Sequence, residues 1–201
     1  CVLVFLLGLR LLDRPAAAFA SIATAVYPLL VFTGPAILIE ALHTTLVLLE
    51  IWFLVRAERH GAWGLAAGLA GGLGALVHAG HALFFLAVLL FVRRRFVLPY
   101  VGVFLLVIGV WTWRNSVVLG RFVPISTAGG YGLYEALGPE ANGGTVGHRM
   151  LLPERGALGE VEYDRLLRRE ALRGLTARRI AKLALEKQRR FWSVVPHAEE
   201  Y

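Results

Sequence analysis

The sequence contains a single cysteine, Cys1, and this shortage excludes two kinds of site at once. One thiol cannot form an internal disulfide framework, and it cannot supply a cysteine-based metal site. The chain also lacks a nucleophile motif, a P-loop, an internal repeat and a low-complexity segment. The glycine-rich sequence at 129–132 follows no predicted strand, so it does not indicate a dinucleotide-binding turn.

Polar residues are scarce as well, because 57% of the 201 residues are hydrophobic and the mean hydropathy is +0.63. This composition is too apolar for a soluble domain and is typical of a protein with several membrane spans. The net charge of +7 does not by itself indicate nucleic-acid binding, and we expect no nucleic-acid partner. The chain starts at Cys1 rather than Met and continues directly into membrane-like sequence, so we interpret it as a piece of a longer protein.

Apolar runs separated by short polar connections predict an all-α, multi-span transmembrane helical bundle. Residues 2–9 form the end of one span, and complete spans cover roughly 15–32, 37–55, 62–77, 82–92 and 97–113. Gly64, Gly68 and Gly72 recur at four-residue spacing, which permits close helix packing in lipid. The predicted domains are the bundle, 1–113, and an external region, 114–201, that contains a loop and amphipathic helices.

The positive charges of the bundle predict its orientation. All seven Lys/Arg residues of 1–113 fall in alternate connections, whereas the turns at 33–36 and 78–81 contain none; the seven are Arg10, Arg14, Arg56, Arg59, Arg93, Arg94 and Arg95. Basic connections stay on the cytoplasmic side of a membrane. The chain is therefore predicted to be a multi-pass membrane protein, with the two neutral turns and residues 114–201 outside.

The external region predicts two helices near its end. The first covers about 160–173 and ends at Gly174, and the second covers about 177–192 and is capped by Thr176. The second is basic and amphipathic and ends in Phe191 and Trp192. Such a helix lies on a membrane surface, or the two helices pack on each other as a hairpin.

Ionisable side chains gather at the external ends of the predicted spans. Glu40 and His43 share one helical face, and His78 and His81 share the second neutral turn. Glu40 is interpreted as a supporting acid that orients an acceptor hydroxyl or binds a metal, or else as a carboxylate that reaches water at a helix end. Glu40, His43 and His81 are the candidate ligands of a divalent cation (Mg, Mn or Zn). Glu50 lies deeper and is predicted to pair with an arginine and support packing.

The stretch 111–131 passes from an apolar run into polar, glycine-rich sequence. Trp111 and Trp113 are typical of the boundary between hydrocarbon and water, and Arg114 and Asn115 follow at headgroup depth. An arginine and backbone N–H groups can hold a lipid-linked phosphate. The candidate donor and acceptor loop contains Ser126, Thr127, Gly129, Gly130 and Tyr131. The alternative is an interfacial anchor followed by an ordinary loop.

Several of these stretches resemble bacterial membrane glycosyltransferases of family 39, the relatives of protein mannosyltransferases and aminoarabinose transferases with the GT-C fold. The similar stretches are Tyr27-Pro28 with Ile37–Leu42, Gly71–Leu76, Trp113–Asn115, Gly120–Thr127 with Gly130, and the tail from Tyr163 to Trp192. His78-Ala79 stands where the family usually has Arg-Pro, and Ile39 stands where it has Thr before the acid. The family's catalytic aspartate lies in an earlier external loop that these residues do not include.

The resemblance implies transfer of a monosaccharide from a polyprenyl-phosphate donor to an acceptor hydroxyl on the outer face of the membrane. The acceptor would be a protein, a lipid or a glycan, and the implied partners are membrane lipid and the lipid-linked sugar. The resemblance also implies that the protein lies in the bacterial inner membrane. Arg114, His78 and Asn115 would bind the donor phosphate, often with help from a divalent cation. Without the catalytic aspartate, these residues alone are expected to be inactive.

Two other functions are consistent with the same sequence. One is a non-catalytic membrane protein, such as a transporter or an assembly factor, and the other is an inactive glycosyltransferase relative, since His78 departs from the family pattern. A transporter places polar or broken helix segments near the membrane midplane, whereas the polar residues here gather at one face. This distribution favours transfer chemistry at the membrane surface.

Overall fold

The computed structural model describes residues 1–33, 39–58, 60–78, 80–91, 93–144 and 156–193. Within these ranges the regular structure is entirely helical, which confirms the predicted all-α class. The chain divides into two compact units, Cys1–Val118 and Leu119–Tyr201. The predicted turn residues Gly34 and Pro35, together with Arg59 and Ala79, lie outside the described residues.

Unit 1 is built from seven helices in the described residues. They are α1 (Val2–Leu11), α2 (Arg14–Val26), α3 (Pro28–Thr33), α4 (Ile39–Ala57), α5 (Trp63–Val77), α6 (His81–Phe91) and α7 (Arg94–Leu119). The Asp13 side chain caps α2 by accepting a hydrogen bond from the Ala16 N–H at 2.9 Å, and Pro15 occupies its first turn as predicted. These helices follow the predicted spans closely, apart from the two differences below.

The predicted span 15–32 is interrupted. Tyr27 adopts an extended backbone conformation between α2 and α3, because the ring of Pro28 disfavours a helical conformation in the residue before it. Pro28 then starts α3, where its missing N–H is not needed.

The second difference is the length of α7. The predicted span ends at residue 113, but the helix continues to Leu119, and Gly120 follows with a positive φ of 63°. Glycine adopts this conformation at no steric cost and commonly follows the end of a helix. The expected domain boundary at residue 113 therefore falls inside α7. In the described residues, Arg95–Leu119 is also the one helix of at least 18 residues that is apolar enough to cross a membrane.

The glycines of α5 allow the close packing that their spacing predicts. A Cβ atom at Gly68 would clash with the carbonyl oxygen of Tyr100, and one at Gly72 would lie 2.8 Å from Cβ of Val107. Gly64 similarly faces Pro99, so this glycine face lies directly against α7. Because contacts advance along both helices in the same order, α5 and α7 run in the same direction.

The core of unit 1 combines four helices. Ala67, Val88 and Tyr100 are buried together, and side chains of α4, α6 and α7 pack around them: Phe53, Leu54, Phe84, Phe85, Leu89 and Val101. The outward faces remain apolar, and Leu83, Leu90 and Leu98 are each at least 74% exposed. Such faces suit a hydrocarbon surrounding rather than water.

Arginines meet at one end of unit 1. An apolar groove of about 610 Å³ is lined by Arg10, Glu58 and Arg93, and Arg93 pairs with Glu58 at 3.5 Å. The Arg56 guanidinium lies over the ring of Trp52 at 4.1 Å. The connections that the sequence predicts to be cytoplasmic therefore share one end of the unit.

Unit 2 contains α8 (Gly129–Leu137), α9 (Glu160–Leu172) and α10 (Ala177–Phe191) in its described part. Tyr134 of α8 packs on Leu167 and Ala171 of α9. The predicted signals of the last two helices are confirmed, because Gly174 has a positive φ of 64° and the Thr176 side chain accepts a hydrogen bond from the Arg179 N–H at 3.3 Å.

Candidate functional site

The interior of unit 1 contains four polar side chains in close contact, Tyr100, Glu50, His81 and His43, which we call the polar chain. Tyr100 donates its O–H to Oε1 of Glu50 at 2.5 Å, and Nε2 of His81 lies 2.8 Å from Oε2 of the same carboxylate. Nε2 of His43 lies 3.0 Å from Nδ1 of His81. Three helices, α4, α6 and α7, therefore meet through a continuous series of polar atoms.

Two members of the polar chain are completely buried. Glu50 and His81 are both 0% exposed. A buried carboxylate is unfavourable unless it is paired. Here Oε1 accepts the hydrogen bond from Tyr100, and Oε2 lies 2.8 Å from Nε2 of His81 without forming a hydrogen bond. The α5 backbone makes room for the pair, because a Cβ at Gly71 would lie 2.7 Å from Oε1 of Glu50, and one at Gly74 would lie 2.8 Å from Cε1 of His81.

The polar chain leads towards an exposed histidine. The rings of His43 and His78 stack with their centroids 4.9 Å apart, and His78 is exposed whereas His43 is half-buried. Nδ1 of His78 accepts a hydrogen bond from the Gly80 N–H at 3.1 Å. Its Nε2 therefore carries the proton of a neutral ring. The three histidines that the sequence predicts to share one level do come together.

Two expectations about this region need correction. Glu50 was predicted to pair with an arginine, and this is wrong: its partners are His81 and Tyr100. The prediction failed because the arginines gather at the far end of the unit, whereas His81 starts α6 beside Glu50. Tyr100 was not predicted to belong to this cluster. Its position within an apolar span could have indicated it, because a buried phenolic O–H needs a polar partner.

Glu40 does not join the polar chain. It is exposed in the first turn of α4, one turn before His43. No hydrogen bond or ion pair between Glu40 and the histidines occurs among the described residues. The predicted metal ligands do not fit a metal site, because His43 and His81 direct ring nitrogens at each other. The described ranges also contain no group of three or more His, Cys, Asp or Glu side chains arranged to hold a metal ion.

Arg114 and Asn115 lie in the last turns of α7, not in the loop that the sequence predicts. Arg114 is exposed, and its Nη1 donates to Oδ1 of the buried Asn115 at 3.0 Å. The guanidinium also lies 5.3 Å from the centre of the Trp111 ring. The arginine is thus held beside an interfacial indole while part of its planar donor set faces outward.

The candidate donor and acceptor loop is only partly a loop. Ser126 and Thr127 are non-helical, and Thr127 donates a hydrogen bond to Glu160. Gly129, Gly130 and Tyr131 belong to the first turn of α8, so the prediction of a loop at these three residues is wrong. Gly130 instead allows α9 to approach closely, because its N–H donates to Oδ1 of Asp164 at 2.5 Å.

The charges at this contact between α8 and α9 are also paired. Arg168 donates from Nε to Oδ2 of Asp164 at 2.8 Å. Asp164 is 8% exposed, so its carboxylate is nearly buried and both oxygens are used. These contacts account for the glycines at the start of α8, because they allow α9 to pack closely there. Burial raises the pKa of the neighbouring Tyr134 phenol.

The polar chain and Arg114 offer two kinds of chemistry. Imidazole and carboxylate groups in direct contact can pass a proton between them. An exposed arginine at the end of an apolar helix can bind a phosphate.

The chain belongs to the dolichyl-phosphate-mannose-protein mannosyltransferase family, whose sequence model matches residues 1–113. The match confirms the family predicted from the motifs, which is one of integral membrane glycosyltransferases of the GT-C type. Residues 114–201 lie outside the match, so the resemblance of that stretch remains a prediction. No curated protein and no solved structure matches the chain.

Proposed function

We propose that the protein transfers a monosaccharide from a polyprenyl-phosphate donor to an acceptor hydroxyl on the outer face of the membrane. The observation that carries the proposal is the family match, since its members are glycosyltransferases of the mannosyltransferase type. The acceptor follows from the family only as a class, with a protein as the first candidate and a lipid or glycan as alternatives.

The proposed orientation places the histidine end of unit 1 outside. Arg10, Arg56 and Arg93 lie towards the opposite end, and basic residues stay on the cytoplasmic side. Arg114 follows Arg95 by 19 positions, a rise of about 28 Å along α7, close to the roughly 30 Å thickness of a hydrocarbon core. Arg114 then lies at the outer headgroup level, where the phosphate of a lipid carrier is also found.

Arg114 is assigned to the donor phosphate, with Asn115 holding its guanidinium in place. His78 adds a second N–H donor from Nε2, at the position where the family usually has arginine. As the acceptor oxygen attacks the anomeric carbon, the bond to the phosphate breaks and its electron pair leaves with the phosphate. Cationic and N–H donors stabilise that developing charge. Glu40 is assigned to orienting the acceptor hydroxyl. The divalent cation is still a prediction, and no step of the reaction is assigned to it.

The test uses purified full-length protein and a short-chain polyprenyl-phosphate sugar. Arg114→Ala should raise the donor Kd at least about tenfold, whereas Arg114→Lys should weaken binding less, because it keeps the charge but loses the planar fork. Arg121→Ala is the matched control, since it removes an exposed arginine whose carboxylate partner is 3.9 Å away. Unchanged donor affinity in Arg114→Ala would remove Arg114 from the site.

Glu40→Gln tests the acid separately. It should lower the transfer rate about a hundredfold while the donor Kd stays unchanged, because the proposed role concerns the acceptor. A rate within about twofold of wild type would show that Glu40 is only a solvated carboxylate at the end of a helix.

A transporter is the second candidate, and one specific observation favours it. Glu50 and His81 form a buried ionisable pair inside the helix bundle, and such groups often mark proton or ion pathways in membranes. Uptake of a solute by proteoliposomes, driven by a pH gradient and without consumption of the lipid-linked sugar, would support this candidate over the glycosyltransferase.

A further inference from the structure

We propose that the arginine end of unit 1 binds an anionic phospholipid. This end combines the apolar groove of about 610 Å³ with a polar pocket of about 200 Å³, and Arg10 lines both. A phospholipid has the same sequence of parts, because its apolar acyl chains are joined to a charged phosphate and a polar headgroup. The site lies at the opposite end of unit 1 from Arg114, so the inference goes beyond sugar transfer and does not depend on it.

The groove suits an acyl chain. Apart from Arg10, Glu58 and Arg93, the described residues that line it are apolar. They come from α1, α4, α6 and α7 and include Leu11, Leu54, Phe84 and Phe96. Phe91 also lines the groove and is 86% exposed, so the groove is open at the protein surface beside it. Its volume is typical of small-molecule sites, which measure about 300–1,000 Å³.

The positive charge at this end is only partly neutralised by the protein. Arg93 pairs with Glu58 at 3.5 Å, and Glu58 is the one carboxylate among the described residues that line the groove or the polar pocket. Arg10 is exposed and forms no ion pair in the described part of the chain. The groove therefore ends at a cation whose N–H donors suit a phosphate.

Arg56 adds a second cation to the polar pocket. Its guanidinium lies over the rings of Trp52 and Trp63, 4.1 Å and 5.2 Å from their centres. The rings hold the guanidinium in place but supply no hydrogen-bond acceptor within their plane. Arg56 is half-buried, and the described ranges give it no carboxylate partner. Because a partly buried cation without a counter-ion is unfavourable, this pocket favours an anion between Arg10 and Arg56.

The anion is assigned to a lipid. Basic pockets between membrane helices bind anionic lipid headgroups on the cytoplasmic side, and the predicted orientation places these arginines on that side. The phosphodiester accepts N–H donors from Arg10 and Arg56, His60 adds a polar group to the headgroup pocket, and one acyl chain lies in the groove. A soluble phosphate uses only the polar pocket, so dependence on the acyl chain separates a lipid from a free anion.

Native mass spectrometry of the purified full-length protein measures the headgroup preference. The probes are phosphatidylglycerol and phosphatidylcholine with identical acyl chains, and the anionic lipid should bind at least about tenfold more tightly. Arg10→Gln and Arg56→Gln should each raise the Kd for phosphatidylglycerol about fivefold and leave the Kd for phosphatidylcholine unchanged. Arg14→Gln is the matched control, because it removes an exposed arginine of the same connection that lines neither cavity, and it should bind both lipids as the wild type does.

Phe91→Ala tests the groove separately from the charge. It should weaken the binding of both lipids by the same factor of roughly three to five, because it removes apolar surface from the acyl chain. Inorganic phosphate at the same concentration should not displace phosphatidylglycerol. Displacement by phosphate, together with unchanged lipid binding in Phe91→Ala, would show a site for a soluble anion and would overturn the proposal.

Thermal unfolding shows that the variants remain folded. In detergent without added lipid, Arg10→Gln and Arg56→Gln should unfold at the wild-type temperature. Phosphatidylglycerol should raise the unfolding temperature of the wild type and of Arg14→Gln more than that of the other two variants. Equal binding of the two lipids by the wild type would overturn the proposal, and a groove covered by a further segment of the same protein would give that result. Sugar transfer is not measured, so neither result bears on the proposed function.

Discussion

Gly71 offers the sharpest test of the packing around Glu50. In Gly71→Ala, the new Cβ would lie 2.7 Å from Oε1, 3.0 Å from Cδ and 3.2 Å from Oε2 of Glu50. Carbon atoms do not approach that closely, so the carboxylate must move. It is fully buried and held on both sides, by Tyr100 at 2.5 Å and by His81 at 2.8 Å. Any movement that relieves the clash therefore weakens at least one of these contacts.

The cost of that movement can be bounded. A hydrogen bond to a charged group contributes about 1.5–3 kcal/mol, and overpacking of a close-packed interior costs about 1–3 kcal/mol. Both energies describe the same displacement of the Glu50 carboxylate and are not added, so the destabilisation before any offset is about 2–3 kcal/mol. Alanine offsets roughly 1 kcal/mol through its higher helix propensity. The net loss of stability should be about 1–2 kcal/mol.

Gly109→Ala is the matched control, because Gly109 lies in α7 with nothing within 4 Å of the added Cβ. It should be neutral or up to about 1 kcal/mol more stable. Reversible unfolding of purified protein in mixed micelles measures both variants under one condition. Glu50→Asp withdraws the carboxylate from α5, so the penalty of Gly71→Ala should shrink in that background. Equal stabilities of Gly71→Ala and Gly109→Ala would refute the packing argument.

Two further predictions concern orientation and unit 2. In a background without other cysteines, Gly156→Cys should react with an impermeant thiol reagent in intact cells and His60→Cys should not; the opposite labelling would reverse the orientation. In unit 2, Asp164→Asn should lower stability by about 1–3 kcal/mol, because the amide keeps one acceptor for the Gly130 N–H but loses the charged contact to Arg168. Chemical denaturation followed by circular dichroism measures this, and a loss below about 0.5 kcal/mol would show that the contact is dispensable.

Helix positions were predictable wherever one local signal decides them. Arginines, a proline and the polar turn at 78–81 separate the apolar runs, so α4, α5 and α6 begin and end near their predicted bounds. The break at Tyr27 follows from the backbone requirement of Pro28, which the span prediction did not apply. The extension of α7 to Leu119 reflects the absence of a helix breaker before Gly120, whereas the prediction relied on the change from apolar to polar residues.

Contacts between distant residues were harder to predict. The meeting of His43, His78 and His81 was predictable, because successive antiparallel helices bring alternate connections to the same end of the bundle. The pairing of Glu50 with His81 depends on helix rotation, which an α4 sequence with apolar residues on every face does not specify. Gly129 and Gly130 were read as a loop because glycine is a poor helix former, but the close approach of Asp164 favours a residue without a side chain. Tertiary packing outweighed local propensity there.

The two faces of α5 should give this helix an uneven tolerance to mutation. Leu65, Leu69 and Leu73 are 48%, 48% and 41% exposed and also recur every four residues, so they alternate with glycines that touch other helices. A saturation library over 63–77 should accept most apolar residues at the three leucines. At Gly68 and Gly71 even alanine should be depleted, because the former faces a backbone carbonyl and the latter a fixed carboxylate. Sequence variation in this helix would then repeat every four residues, because the leucine positions tolerate large side chains and the glycine positions exclude them.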